Sequence, residues 1–237
     1  MQIGIILPSI RPEFYFELQD SLKYMGEYRK YFKILLLAQP PWSIAQFHQS
    51  DADHKQFIER IETPSMMDLR GKCYDLAPDC DYYMIADDDL LFLAEYKDFL
   101  KSVFNLIDKD YGVICTYGGN KHPHDVILNP SKISFATSRG MFIKNTDNLF
   151  PEKERKLLGG MEESIIAFSV LKTNKKYAAI GKAPVVRRKK HPDPSYNDTS
   201  FIHDLGVNMD HGVKYVRETY NDRHWMFKQK RIPEGLL

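Results

Sequence analysis

The sequence has few cysteines, and their spacing matches no common metal site. Three occur among 237 residues, at Cys73, Cys80 and Cys115. An odd number without a Cys-x-x-Cys pair argues against the disulfide framework of a small secreted domain and against a structural zinc site. We therefore expect three buried, reduced thiols.

Long apolar runs are also missing. No segment approaches the ~18 apolar residues of a membrane-spanning helix, and residues 1–8 lack a basic leader followed by a long apolar stretch. The composition is globular, with 43% hydrophobic and 27% charged residues. These features predict a soluble cytoplasmic protein, without a membrane partner, of one large domain or two small ones.

An excess of charge of one sign is missing as well, because the formal net charge is only +1. This balance gives no global argument for nucleic acid or a membrane surface as partner. The distribution is nevertheless uneven, since residues 187–190 form a basic run, and Lys228, Lys230 and Arg231 make the C-terminus basic. Such runs are most often solvated surface, and binding of phosphate or nucleic acid is the alternative.

The first half of the chain alternates between two hydrophobic patterns. Strand-like runs cover residues 2–7, 33–38, 82–86 and 112–116, and helix-like runs cover residues 14–24, 55–61, 67–77 and 95–107. Strands separated by helices predict right-handed βαβ units and a mostly parallel sheet covered by helices. Ligands would then bind beyond the carboxyl ends of the strands.

Three consecutive acids, Asp87, Asp88 and Asp89, follow the strand-like run 82–86 and precede a second apolar run. Adjacent carboxylates repel one another, and they are costly to bury unless a cation or hydrogen-bond donors offset the charge. Hard divalent ions such as Mg²⁺ or Mn²⁺ prefer oxygen ligands of this kind. The triplet indicates a metal site at the end of a strand; the alternative is a loop or helix N-terminus, where aspartates cap N–H groups.

Four segments stand out around the triplet. They are Leu7-Pro8-Ser9-Ile10-Arg11 after the first strand, the helix 70–77 that runs into the strand before the triplet, Gly159-Gly160-Met161-Glu162-Glu163 before an apolar helix, and the strand-like segment 175–186 before His191. Their order resembles the GT-A glycosyltransferases, which use nucleotide sugars and carry a DxD motif. Two positions depart from the family pattern: Gly71 stands where Asn is usual, and Glu163 replaces the usual Asp.

The resemblance implies an α/β, GT-A fold, with a Rossmann-like, mostly parallel central sheet flanked by helices. It also implies a single GT-A domain over residues 1–191, followed by a C-terminal extension over residues 192–237. Within the domain, residues 1–117 would form the half that binds the nucleotide sugar. Residues 118–191 would form the half that holds the acceptor and the catalytic groups.

The resemblance further implies a donor site that contains a metal. The expected ligands are Mn²⁺ or Mg²⁺ and a nucleotide sugar, with UDP as the expected nucleotide. The implied metal ligands are Asp87, Asp89 and a late histidine, either His191 or His203. The implied donor contacts are Pro8, Ser9, Arg11, Asp68, Arg70, Asp87 and Asp88. For Arg11 and Arg70 the alternative is a surface arginine with a buried stem.

The acids Glu162 and Glu163 are implied as the catalytic residues. Glu163 would be the general base that takes the proton of the acceptor hydroxyl as it attacks the sugar, so that the configuration inverts. The alternative is that both acids stabilise the N-terminus of the helix 164–173. A retaining reaction stays open, because spacing in a sequence does not measure separation across a sugar.

The acceptor is the least determined part of the sequence. Segments 118–120 and 138–141 contain glycines that allow close backbone approach, and His122 and His124 lie in a polar loop whose spacing also suits a metal. The basic run, Arg187, Arg188, Lys189 and Lys190, suits a polyanion. A compact cytoplasmic transferase with such a run is similar in type to phage enzymes that glycosylate hydroxymethylated pyrimidines in DNA, which act in the host cytoplasm.

Three other functions are compatible with the same residues. A saccharide or a small molecule is the rival acceptor within the same chemistry. A sugar nucleotidyltransferase would share the α/β domain and the acidic metal site but would have no use for a base above the sugar. A non-catalytic nucleic-acid-binding protein would bind DNA without Asp87 or Asp89.

Overall fold

The computed structural model describes residues 1–59, 65–116, 126–128, 140–147, 149–156, 162–174, 176–181 and 183–187. Within these ranges, the chain forms an eight-stranded sheet and a separate two-stranded ribbon, with helices between the strands. The strands are β1 Ile3–Ser9, β2 Phe32–Ala38, β3 His54–Phe57, β4 Tyr82–Ile85, β5 Leu90–Phe92, β6 Val113–Thr116, β7 Val126–Leu128, β8 Met141–Lys144, β9 Tyr177–Ile180 and β10 Val185–Arg187. The helices are α1 Pro12–Ser21, α2 Ile44–Gln49, α3 Met66–Asp75, α4 Tyr96–Ile107, α5 Glu152–Arg155 and α6 Glu162–Thr173, and a 3-10 segment, Leu22–Tyr31, follows α1.

The large sheet is mixed but mostly parallel. Its strand order is β3-β2-β1-β4-β8-β6-β9-β7, and β1 pairs in parallel with both β2 and β4. β8 is antiparallel to β4 and β6, and β7 is antiparallel to β9, so the other six described strands share one direction. The carboxyl ends of β1, β2 and β4 consequently meet at one edge of the sheet.

Alternate residues of β1 supply two hydrophobic cores, one on each face of the sheet. Ile5 and Leu7 pack on one face with Leu18 of α1, and Ile6 packs on the other face with Cys73 of α3. Each fully buried aliphatic side chain contributes about 1.5–3 kcal/mol relative to an exposed one. Helices therefore cover both faces, as the βαβ pattern predicts, and α3 lies on the face that also holds α6.

The expected helix over residues 55–61 is wrong, because residues 54–57 form β3 and pair in parallel with β2. Lys55 instead donates from Nζ to the carbonyls of Phe47, His48 and Ser50, at 2.8–3.2 Å, and so binds the C-terminal end of α2. The helix in this region is α2, whose N-terminus has a capping box formed by Ser43 and Gln46. Pairing at the sheet edge thus outweighs the local pattern.

The three cysteines are free thiols with buried side chains, as expected. Burial raises the pKa of Cys73 and Cys115 to about 12 and that of Cys80 to about 11. In the described ranges, the helices are either too short or too polar to cross a bilayer.

Candidate active site

The acidic triplet lies at the edge where three parallel strands end. β1 ends at Ser9 and β4 ends two residues before Asp87, while Gln39 follows β2 and donates its backbone N–H to the carbonyl of Ser9 at 3.0 Å. β5 begins directly after Asp89. The structure therefore brings the turn after β1 and the triplet together, as the sequence predicts.

Asp88 is held by a buried network of hydrogen bonds. Its carboxylate accepts from Ser9 Oγ at 2.7 Å and from Arg11 Nε at 2.9 Å, and it also pairs with Arg11 Nη2. Trp42 Nε1 in turn donates to Ser9 Oγ at 3.1 Å. The Asp88 side chain is only 3% exposed, so the protein surrounds this carboxylate almost completely.

Burial raises the pKa of Asp88, and the Arg11 guanidinium and the Ser9 hydroxyl oppose that shift. Arg11 also lies 3.7 Å from Asp89 Oδ2, and its guanidinium stacks over the ring of Phe14 at 5.0 Å. Its position at the end of β1 therefore serves two members of the triplet. Because Arg11 is itself buried, the alternative of a surface arginine does not apply.

A second buried arginine approaches the triplet from α3. Arg70 is 1% exposed, and its Nη2 donates to Asp87 Oδ1 at 3.1 Å. Its Nη1 lies 3.9 Å from Glu163 Oε1, at the start of α6. The helix that carries Arg70 is capped by Ser65, whose hydroxyl accepts from the backbone N–H of Asp68 at 3.4 Å. Arg70 thus joins a candidate metal ligand to the candidate base.

Other predicted site residues lie around this edge. Pro8 belongs to β1, in register with Leu37 of β2. Asp68 lies in the first turn of α3 and pairs with Lys72 at 2.9 Å. Glu162 is the first residue of α6, and its side chain lies outside the described part. The same holds for His122, His124, His191, His203, residues 118–120, 138–139, 159–161 and 188–190, and the extension 192–237.

Near the triplet, Gln39 and Trp42 escaped sequence reasoning, and Gly140 was considered only for close backbone approach. Gln39 is 1% exposed, and its Oε1 has no hydrogen-bond partner among the described residues. Trp42 anchors Ser9. Gly140 has a φ of 88° and precedes Met141, which pairs with Ile85. The position of Gln39 directly after an apolar strand was a usable signal, whereas no local pattern marks Trp42.

The carboxylates at this edge are ligands of the type that a divalent ion prefers. Counted as ionised, Asp87, Asp88, Asp89 and Glu163 carry four formal negative charges, and Arg11 and Arg70 return two, so the formal net charge is minus two. In the described ranges, no three acidic, histidine or cysteine side chains are grouped to hold a metal unaided. Magnesium commonly takes one or two carboxylates together with substrate phosphates, and the predicted ligands Asp87 and Asp89 match that number.

The ribbon of β5 and β10 brings the backbone of Arg187, the first residue of the late basic run, to the same edge. The two strands are antiparallel, and the backbone of Arg187 pairs with that of Leu90, the residue after Asp89. The run that begins at Arg187 therefore starts beside the triplet, although its remaining residues lie outside the described part.

No protein-family model and no curated protein matches this sequence. Solved structures match along almost the whole chain. Residues 1–349 of S. aureus TarS superimpose with a TM-score of 0.56 at 15% identity, covering 99% of this chain and 77% of that chain. The same fragment in complex with UDP-GlcNAc gives a TM-score of 0.57 at 13% identity, covering 99% and 78%. The mannosyltransferase PcManGT from Pyrobaculum calidifontis, in complex with GDP-Man and Mn²⁺, gives 0.59 at 11% identity, covering 98% and 66%.

Identities this low establish similarity of fold alone. The predicted fold class, an α/β, GT-A arrangement with a mostly parallel central sheet flanked by helices, is confirmed.

Proposed function

We propose that this chain is a metal-dependent glycosyltransferase, which moves a sugar from a nucleotide-sugar donor to an acceptor hydroxyl. The observation that carries the proposal is the arrangement at the edge of the sheet. Arg70 joins Asp87 of the acidic triplet to Glu163 at the start of α6. The similarity to structures that hold UDP-GlcNAc, or GDP-Man with Mn²⁺, supports this chemistry.

Asp87 and Asp89 would hold Mn²⁺ or Mg²⁺, and His191 or His203 remains the proposed late ligand. The net charge of minus two at this edge suits such an ion. When bound, the ion acts as a Lewis acid that neutralises the charge on the leaving diphosphate. The Arg11 guanidinium pairs with Asp88 and lies near Asp89, and so reduces the repulsion between the carboxylates of the triplet.

The nucleotide sugar would lie against the carboxyl ends of β1 and β2. Donor contacts are proposed for Pro8, Ser9, Arg11, Asp68, Arg70, Asp87 and Asp88. To these we add Gln39, because a buried amide oxygen without a partner costs about 1–3 kcal/mol. The nucleotide sugar can supply an N–H or O–H group to that oxygen. Of this set, Ser9 and Arg11 would act mainly by fixing Asp88, since their described hydrogen bonds point to it.

Glu163 is the proposed general base, with Glu162 as its neighbour. The Glu163 side chain is 23% exposed, so a hydroxyl can reach it, and Arg70 Nη1 lies 3.9 Å from its Oε1. It would take the acceptor proton while the oxygen attacks the sugar carbon on the face opposite the diphosphate, and the configuration would invert. Residues 1–117 then serve the donor, residues 118–191 serve the acceptor, and residues 192–237 form an extension.

The leading proposal for the acceptor is a hydroxymethylated pyrimidine in DNA. The backbone of Arg187 pairs with that of Leu90, the residue after the triplet, so a basic run that holds DNA phosphates would bring the DNA to the donor edge. Changing Arg187, Arg188, Lys189 and Lys190 together to Ala should weaken DNA binding and flatten its dependence on salt. Fluorescence anisotropy with labelled DNA at several salt concentrations measures both, and unchanged binding would favour a saccharide acceptor.

A nucleotide-release assay tests the proposed function. It pairs several nucleotide sugars with hydroxymethylated DNA, unmodified DNA and simple saccharides, in Mn²⁺ or Mg²⁺. Asp89→Ala should abolish metal-dependent donor binding, measured by calorimetry. Glu163→Gln should keep donor binding and lower transfer by about 10²- to 10⁴-fold. Products that retain the nucleotide would identify a nucleotidyltransferase instead, and no metal-dependent donor binding by the wild type would refute the proposal.

A further inference from the structure

A glycine occupies the middle of α3, one residue after Arg70. Glycine is a poor helix former, so its presence inside a helix needs a spatial reason. A Cβ atom built on Gly71 would lie 2.5 Å from Nε and 2.8 Å from Cζ of Arg155. The missing side chain of Gly71 therefore leaves the space that the Arg155 guanidinium fills.

Arg155 uses that space to tie α5 to α3. Its Nη1 and Nη2 donate to the two carboxylate oxygens of Asp75 at 2.5 and 2.7 Å, and its Nε donates to the carbonyl of Phe150 at 2.8 Å. The Arg155 side chain is 18% exposed. A paired fork of this kind fixes direction as well as distance, so the end of α5 has one defined position on α3.

The next helix, α6, returns to the same part of α3. Glu163 in its first turn faces Arg70, the residue before Gly71. α5 and α6 therefore both contact α3. Arg155 of α5 lies against Gly71, and Glu163 of α6 faces Arg70, the residue before it. Only six residues, 156–161, separate Arg155 from the first residue of α6, so the position of α5 limits how far away α6 can begin.

We propose that Arg155 is a positioning residue that sets the Glu163 carboxylate beside Arg70 and Asp87. The inference rests on the proposed function, in which Glu163 is the base. Without the pair to Asp75, the end of α5 is released and the first turn of α6 shifts. A displacement of about 1 Å at a reacting group lowers a rate by up to about 100-fold.

Steady-state kinetics of three variants test this role. Arg155→Met removes the pair, and Gly71→Ala pushes the guanidinium out of its space while giving α3 a better helix former. Both should lower kcat by about 10- to 100-fold and leave the donor KM within about twofold. Lys156→Met is the matched control, since it removes the adjacent exposed cation that pairs with Glu152; its kcat should equal that of the wild type. Wild-type kcat in Gly71→Ala and Arg155→Met would overturn the inference.

A double variant separates action through Glu163 from an independent effect. In a Glu163→Gln background, Arg155→Met should lower kcat no further than about twofold, because the group it positions is already lost. If the fold-losses in kcat of the two single variants multiply in the double variant, Arg155 acts independently of Glu163. That result would overturn the inference and leave the proposed function unaffected.

Amide hydrogen exchange gives a readout that needs no activity. Gly71→Ala and Arg155→Met should speed exchange in peptides that cover Glu163 and Ile165, and should leave peptides of β1 and β2 unchanged. Unchanged exchange at the start of α6 would overturn the inference whatever reaction the protein catalyses. A wild type that binds no donor, with the exchange result as expected, would overturn the proposed function and keep the structural coupling.

Discussion

Two buried arginines set the electrostatics of the candidate site, and each serves two acids. Arg11 pairs with Asp88 and approaches Asp89, while Arg70 pairs with Asp87 and faces Glu163. Buried carboxylates repel one another and lose hydration, so each guanidinium offsets part of that cost. The formal net charge of minus two that remains at this edge equals the charge that one divalent ion neutralises.

At this scale, Arg11 should matter for stability beyond any contact with a ligand. Arg11→Met leaves the buried Asp88 carboxylate without its cation, and the free energy of unfolding should fall by about 3–5 kcal/mol. Urea denaturation measures the change. Arg29→Met is the control, because Arg29 and Asp53 are about one-third exposed and 4.0 Å apart. The variant also removes a hydrogen bond from Arg29 to the Phe32 carbonyl, so the expected loss is about 1–2 kcal/mol.

The double variant Arg11→Met with Asp88→Asn should regain part of the lost stability, since the buried charge is removed with its partner. Equal losses for Arg11→Met and Arg29→Met would mean that the Asp88 network does not hold the triplet.

The elements show what the sequence could predict. β1, β2 and β4 were predicted because their apolar runs are buried on both faces, which is typical of parallel strands. β3 was missed because its residues are polar and half-exposed, so only pairing with β2 makes them a strand. The order of Arg11, the triplet and Glu163 was visible in the sequence. The contact of Arg70 with Glu163 was not, because it joins distant segments through packing.

β1 has little space for added volume at Gly4. A Cβ on Gly4 would lie 2.8 Å from Tyr83 Cδ1 and 2.9 Å from Leu35 Cδ1, side chains of the two strands that flank β1. Gly4→Val should therefore lower the free energy of unfolding by about 1–3 kcal/mol through overpacking. Gln2→Val, at the exposed position just before β1, should change it by no more than about 0.5 kcal/mol. Urea denaturation of both variants checks this, and equal stability would show that the sheet relaxes.

For the whole molecule, the buried thiols make the free energy of unfolding decrease at alkaline pH. The native state raises the pKa of the thiols of Cys73, Cys80 and Cys115 above the usual value of 9.0. Between about pH 9 and 11, the unfolded chain therefore binds fewer protons than the native state, and the free energy of unfolding falls as pH rises. Below pH 9 this contribution is fully present.

Urea denaturation at pH 7.5, 9 and 10 should show that decline. Burial also raises the pKa of Tyr83 and Tyr96, which adds to the slope. Cys115→Ala should reduce the slope without removing it. In the same samples, a thiol reagent at pH 8 should modify cysteines quickly only after urea is added, whereas rapid modification of the native protein or a flat pH profile would contradict this account.

The ribbon of β5 and β10 has a consequence for the order in which the molecule forms during synthesis. A growing chain leaves the ribosome N-terminus first, so β1, β2 and β4 can pair while later segments are still being made. Leu90 cannot meet its partner until the residue at position 187 has been translated. The edge beside Asp89 is therefore completed only late in translation, after β1, β2 and β4 have been made.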